Sequence, residues 1–364
     1  FLKDVLKLPW GVEIYDLLAK WNPLRRIENM PAQSQNNRVL VMGLGPSGFS
    51  LMHHLWMRGV TVVGMDGANV TEHNTMDLHT PIYDYRTLWE NLADRRSMGF
   101  GGVAEYGITV RWDKNFLKLI YLSLARRSRL GMIGNVRFGG NLCVEDAWRL
   151  GFDHLALALG AGLPQALSIP HSLAQGMCQA NDFLMSLQLT GAQHTANLAG
   201  LSMSLPCLVI GGGLTAVDAA TEAQAFYLQF IKMIYLRIDA LQAHMGLEAF
   251  WQAFSIDERG QLETWFAHGK ALLAYRQEAI RNSQDIDYST LLQSWGGVNI
   301  IYRKALEQAP SYRQNASELQ HALDQGVSFH AHTTPLAVDV DVHAQVMGLY
   351  VVQPWQGQDV DFYH

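Results

Sequence analysis

Apolar and polar positions along this chain fall into short blocks, and one order of blocks occurs twice. Arg38 to Met42 is a short apolar run, followed at once by Gly43-Leu44-Gly45-Pro46-Ser47-Gly48 and a helical run from Phe49 to Arg58. This order predicts strand, tight turn and helix. Gly59 stops the helix, and Val60 to Met65 predicts a second strand that ends at Asp66. The order returns at Cys207 to Ile210, an apolar strand leading into Gly211-Gly212-Gly213-Leu214-Thr215-Ala216 and a long helical stretch from 217 to about 295.

Elsewhere the pattern predicts strands at Leu155 to Leu159 (ending in Gly160-Ala161-Gly162), Val298 to Tyr302, Val327 to His330 and Met347 to Val352, with a helix at Glu318 to Gln325 stopped by Gly326. Residues 1–35 carry a helical pattern in Val5, Leu6, Leu8, Ile14, Leu17 and Leu18 and end in a Pro/Gln/Asn-rich linker, Pro31 to Asn37. Gly67 to Met98 has no sustained period and reads as loop with one short helix. Two strand-glycine-helix units in one chain imply an α/β architecture with parallel sheets and two Rossmann-like dinucleotide-binding domains. The expected division is an N-terminal segment to 35, a first nucleotide domain over 36–165, a second over 166–345 with a helical insertion at 225–295, and a return to the first domain over 346–364.

Composition narrows the function class. The 364 residues are 49% hydrophobic, enough for a sizeable core, and the formal charge of −6 gives no basic field to gather a phosphate backbone, so nucleic acid is not an expected partner. No apolar run approaches the roughly 18 to 20 residues that span a bilayer, and the N-terminus lacks the order of a secretory signal, which leaves the cytoplasm as the expected location. Cys143, Cys178 and Cys207 are far apart and odd in number, so neither a disulfide framework nor a four-thiolate cluster is expected in this stretch.

The glycines carry the chemistry. A dinucleotide pyrophosphate needs backbone N–H groups and a positive helix end, and a Cβ in the turn holds the phosphate away. Gly43 and Gly45 meet that need, Pro46 and Ser47 open the helix, and Gly48 lets the helix lie close on its strand. Asp66, 23 residues after Gly43, sits either where a carboxylate accepts from ribose hydroxyls or as a solvated strand-end acid. The second turn offers Gly211, Gly213, Leu214 and Thr215, with Ala216 in the last glycine position. Arg303 and Lys304 follow the Val298 strand, either to meet the 2′-phosphate of NADP or to be solvated at the surface. His330 and His332 share one side of a strand without a third ligand, so no metal is expected. The aromatic insertion, with Phe250, Trp251, Phe254, Trp265 and Phe266, is either a helical hairpin packed on its own domain or a docking surface.

Longer stretches resemble one family. Gly101-Gly102-Val103-Ala104-Glu105-Tyr106-Gly107-Ile108, Leu155 to Pro164, Gly176 to Leu184, Val209 to Ala220, and the IIYRK and ELQHALDQGVSF stretches occur in the order seen in the small subunit of glutamate synthase and related NAD(P)H-dependent flavoproteins. These belong to the pyridine nucleotide-disulfide oxidoreductase superfamily. The resemblance implies an FAD domain interrupted by an NAD(P)H domain. FAD would lie against the first glycine turn, Asp66, Gly101, Gly102, the backbone near Val136 and the Gly160 loop. NADPH, or NADH, would lie against Gly211 to Thr215, with Arg303 and Lys304 on a 2′-phosphate. Hydride would pass from nicotinamide to flavin without a side-chain acid, so no catalytic residue is named, and electrons would leave to an acceptor protein or iron-sulfur domain outside this stretch. The chain departs from the family at Leu159, which replaces a threonine, in insertions of about 30 and 70 residues, and in lacking the closing Gly-Asp segment. It therefore reads as part of a longer polypeptide or of a larger complex, and the rival reading is a non-catalytic structural or regulatory module.

Overall fold

The computed structural model describes residues 32–70, 78–89, 99–102, 105, 116–161, 164–192, 200–353 and 358–363. The expected helical pattern of residues 1–31, Gly162 and the Tyr106-Gly107-Ile108 part of the family motif lie outside the described residues. The chain divides into two compact units, Phe1–Leu163 and Pro164–His364.

The first unit is built on β1 (Arg38–Met42), α1 (Pro46–Met57), β2 (Thr61–Met65), α2 (Phe116–Ala125), β3 (Leu130–Ile133), α3 (Val144–Arg149) and β4 (His154–Leu157), with a 3-10 turn at Tyr85–Leu88. The strands form a parallel sheet in the order β3-β2-β1-β4. A strand covered on both faces reads as an unbroken apolar run, and β1 does so because its side chains divide between two cores. Val39 and Val41 pack with Met52 of α1 and Leu117 and Leu124 of α2; Leu40 and Met42 pack with Met65, Leu142 and Ala147 of α3. Each such sealed side chain contributes about 1.5–3 kcal/mol. The expected Leu155 to Leu159 strand is β4, shifted towards its N-terminus. β3 was not expected: it is short, contains Gly131, and lies half-buried at the sheet edge, so its apolar signal is weak.

The second unit contains α4 (Ala180–Thr190), β5 (Cys207–Ile210), α5 (Leu214–Met245), α6 (Leu247–Gln252), α7 (Ile256–Arg281), α8 (Ser289–Ser294), β6 (Val298–Ile301), α9 (Pro310–Asp324), β7 (Ser328–His330), β8 (Thr334–Val340), β9 (Val346–Gln353) and β10 (Gln358–Tyr363). Its parallel sheet has the order β5-β6-β7. The long helix α5 serves two cores. Its first turns place Val217, Ala220 and Ala223 against Val298 and Ile300 of β6 and Leu319 of α9. Beyond the sheet, Phe226, Tyr227, Phe230 and Ile231 pack with Leu187, Trp265, Leu272 and Leu292. Trp265 stands edge-on to Phe230 at 4.9 Å, Phe266 stacks on Tyr235 at 5.0 Å, and the Tyr227 hydroxyl meets His268 Nδ1 at 2.7 Å. Much of the aromatic content of the insertion thus turns inward onto its own unit. A capping box at Ser255 and Glu258 starts α7.

The other face of this sheet is covered by an unexpected element, an antiparallel sheet of order β10-β9-β8. Val338, Leu349 and Val351 pack there with Ile301, Leu208 and Ile210. Asp341 closes the β8–β9 hairpin by accepting the N–H groups of His343 at 2.9 Å and Gln345 at 2.8 Å. Helix α9 starts before the expected Glu318, with Pro310 in its first turn, and Asn315, non-helical at φ −157° and ψ 77°, kinks it.

Candidate functional site

The first glycine turn leaves the C-terminal end of β1 and opens α1. Gly43 has φ +103°, and its N–H donates to Met65 O at 2.7 Å, which ties the turn to β2. A Cβ here would strike the Ala158 carbonyl beyond β4, and one at Gly48 would strike the Gly43 carbonyl. Gly45 is the N-cap of α1 without a side-chain cap, and the next residue, Pro46, has no N–H. The first-turn amides of α1 at Ser47 and Gly48 therefore have no intrahelical acceptor, and the helix end is receptive to an anion. Gly48 is buried, while Pro46 and Ser47 are exposed.

Asp66 organises this turn. Its Oδ2 accepts the Leu44 N–H at 2.6 Å and its Oδ1 accepts the Ala68 N–H at 2.8 Å. Each oxygen keeps a further lone pair for a hydroxyl donor. The Gly101 N–H donates to Leu44 O at 3.2 Å, and a Cβ on Gly101 would stand 2.7 Å from Asp66 Oδ2 and 3.4 Å from Gly45 N. What holds Gly101 there is Phe100, sealed in the first core and edge-on to Phe49 of α1 at 5.5 Å. The fully buried Glu105 accepts the Gly99 N–H at 3.1 Å and donates its own N–H to Gly102 O at 3.0 Å. The Val136 N–H donates to Asp66 O at 2.9 Å, so that residue offers its carbonyl rather than its amide. Gly160, at φ +76°, follows β4 with open space around it, next to the exposed Leu159. Thus Gly43, Gly45, Gly48, Asp66, Gly101 and Val136 come together at the carboxyl edge of one sheet. The edge includes the β1–β4 switch point, where open α/β sheets take their ligands.

The second turn repeats the first by register. Ile210 of β5 faces Ile301 of β6 as Met42 faces Met65, and the Gly211 N–H donates to Ile301 O at 3.0 Å. Gly213 is the N-cap of α5, again without a side-chain cap. Gly211 has φ +147°, and a Cβ there would meet the Ala216 Cβ at an ordinary 3.6 Å, so the final alanine fits. The residue that matches Asp66 is Tyr302, which the sequence reading passed over. Its ring lies where a Cβ on Gly212 would fall, with ring atoms at 2.5, 2.7 and 2.9 Å. The Gly212 carbonyl accepts the Ser311 N–H at 2.9 Å, while around Gly213 the space is open. Leu214 is half-buried at the start of α5 and Thr215 is exposed. Arg303 and Lys304 follow Tyr302, exposed and without an ion pair among the described residues.

Other candidate chemistry lies apart from these turns. His330 Nε2 meets Asn299 Oδ1 at 3.1 Å, and burial lowers its pKa; His332 donates its backbone N–H to Lys304 O. Among the described residues no group of three or more His, Cys, Asp or Glu is placed to hold a metal ion. Hydrogen bonding to Asp146 raises the Cys143 thiol, and burial pushes Cys207 up to about 12, so neither is a ready thiolate. Among the described residues no helix is long and apolar enough to cross a membrane.

No family model matches the chain. "Uncharacterized protein RP006" of Rickettsia prowazekii (strain Madrid E) is 36% identical over 351 residues; the match covers 95% of this chain and 46% of the relative, so the chain spans about half that relative's length. Similar solved structures include a 2-naphthoyl-CoA reductase complex, at 12% identity and TM-score 0.49 over 96% of this chain and 34% of that one. Histamine dehydrogenase from Rhizobium sp. 4-9 gives 12%, 0.43, 92% and 35%, and Lactococcus lactis thioredoxin reductase 11%, 0.40, 90% and 74%.

Proposed function

We propose that this chain is the nucleotide-binding part of a flavin-dependent NAD(P)H oxidoreductase, with FAD at the first glycine turn and NADPH at the second. The observation that carries the reading is the pair of uncapped helix starts, Gly45 and Gly213, placed at matching register at the carboxyl edges of two parallel sheets. At the first turn the Ser47 and Gly48 amides receive the pyrophosphate, Asp66 accepts from the ribose, and Gly101 and Gly102 admit the flavin-side phosphate without a Cβ in the way. Val136 and Gly160 line the same edge. At the second, Gly211, Gly213, Leu214 and Thr215 receive the other pyrophosphate. No carboxylate stands at the Tyr302 position to bind a free 2′-hydroxyl or repel a phosphate, and Arg303 and Lys304 supply positive charge beside it. This favours NADPH over NADH.

The flavin supplies a ring that accepts hydride from a nicotinamide. The chain's residues supply position and charge, and the hydride step itself needs no side-chain acid or nucleophile. Electrons pass onward to an acceptor protein or iron-sulfur domain outside this stretch. The test is anaerobic mixing of the flavin-loaded protein with NADPH and, separately, NADH. Bleaching of the flavin band, faster with NADPH, is expected; a bound flavin that neither reductant bleaches overturns the reading.

A further inference from the structure

Helices α5 and α7 line an open cavity of about 160 Å³ in the second unit, and none of its lining residues belongs to that unit's glycine turn. Its floor is apolar, made by Leu228, Leu272 and Leu273, and Leu272 belongs to the sealed core of the insertion. Its polar lining is made by Gln229, Lys232, Arg276 and Tyr288, and no Asp or Glu lines it. Neither cation has an ion pair or hydrogen bond among the described residues. Asp287, beside Tyr288 in the chain, is already engaged by the N–H and hydroxyl of Ser289, both at 2.9 Å. In a protein of net charge −6 this is a concave place with two cations and no counter-charge. Two like charges on one small cavity repel, and an anion between them removes the repulsion while accepting their N–H groups.

We infer that this cavity binds a small organic monoanion: a carboxylate held by Lys232, Arg276 and Tyr288 on an apolar body that rests on Leu228, Leu272 and Leu273. The volume fits a body of ring size, since an apolar cavity of about 150 Å³ takes up benzene. The site shares no lining residue with either dinucleotide turn and does not depend on the redox reading.

The probe is benzoate, titrated calorimetrically into the full chain with FAD and NADP⁺ present in excess. Acetate, the charge without the body, and benzyl alcohol, the body without the charge, serve as controls. Saturable benzoate binding is expected, about tenfold tighter than either control. Arg276→Gln weakens it about tenfold, whereas Arg276→Lys, which keeps the charge, retains most of it. The inference is overturned by absence of saturation at millimolar benzoate, by equal affinity for benzyl alcohol, by displacement with NADP⁺, or by benzoate affinity unchanged in Arg276→Gln and in Lys232→Gln.

Discussion

The two glycine turns have one backbone plan and opposite surroundings. The first is closed in: Ala158 abuts Gly43, Gly101 abuts Gly45, and the Asp66 carboxylate ties down Leu44. The second has open space at Gly213, a tyrosine against Gly212 in the position where the first has an acid, and two exposed cations directly after it. The shared plan comes from what any parallel strand-to-helix turn must do with its amides. The differences come from neighbours far away in sequence. They suit the proposed division of labour, in which the enclosed turn keeps a resident FAD and the open turn exchanges NADPH.

Substitutions can break this comparison, and the largest effect is expected at Gly43. Gly43→Ala must hold a positive φ and drive a Cβ into a backbone carbonyl, at a cost of about 3 kcal/mol or more. Purified protein should carry little flavin and melt early, read from its absorbance and thermal transition. Asp66→Ala orphans two N–H donors and removes the proposed ribose acceptor. It should weaken FAD about a hundredfold, from about 1–3 kcal/mol for each lost partner, as measured by titrating apoprotein with FAD. At the second turn, Arg303→Ala with Lys304→Ala should raise KM for NADPH about tenfold or more and leave NADH unchanged. Equal losses with both nucleotides would sink the 2′-phosphate assignment.

Acid offers a milder test. His53 on α1 meets Arg127 Nη1 at 2.6 Å, and since a guanidinium only donates, Nδ1 is the acceptor and the ring is neutral. Burial, then the charges of Arg127 and His54, lower its pKa from 6.5 to about 4. The unfolded chain therefore takes up the proton first. The stabilisation is present in full above about 6.5 and is lost as pH falls towards about 4. For a half-exposed ring this amounts to about 1 kcal/mol, and urea melts at the two ends of that window should show a drop that His53→Gln reduces. Burial also lowers His268 and His330 in the second unit, so acid separates the two units less sharply than substitution does. The smallest effect on stability is expected from Gly213→Ala: nothing lies near the added Cβ, and an N-cap alanine in place of glycine costs about 0.5–1 kcal/mol. Its added Cβ enters the open space proposed for the pyrophosphate, so a thermal transition close to that of the parent protein together with a raised KM for NADPH is the expected readout.

The strand-glycine-helix order and the place of Asp66 are legible in the chain because strand, turn, helix and acid follow one another within 29 residues, Arg38 to Asp66. Local sterics set them: a positive φ at Gly43, a proline at the first helical position, an apolar run for a strand covered on both sides. Tyr302 was missed because an aromatic residue at a strand end looks like core, and only the pairing of Ile210 with Ile301 shows that it occupies the position of Asp66. β3 and β8 were missed for related reasons. One is short and glycine-broken, and the other, Thr334-Pro335-Leu336 at its start, has a proline in second place that discourages a strand assignment.

Apolar period and glycine placement, which act over a few residues, thus settle where each nucleotide turn begins. Which groups surround a turn depends on segments brought together from afar: Phe100 carrying Gly101 onto Asp66, Ala158 closing on Gly43, Ser311 reaching Gly212, and α7 folding back on α5 to pair Arg276 with Lys232 across one cavity. Those pairings follow from burial of side chains separated by tens of residues, and no local period encodes which partner each buried face finds.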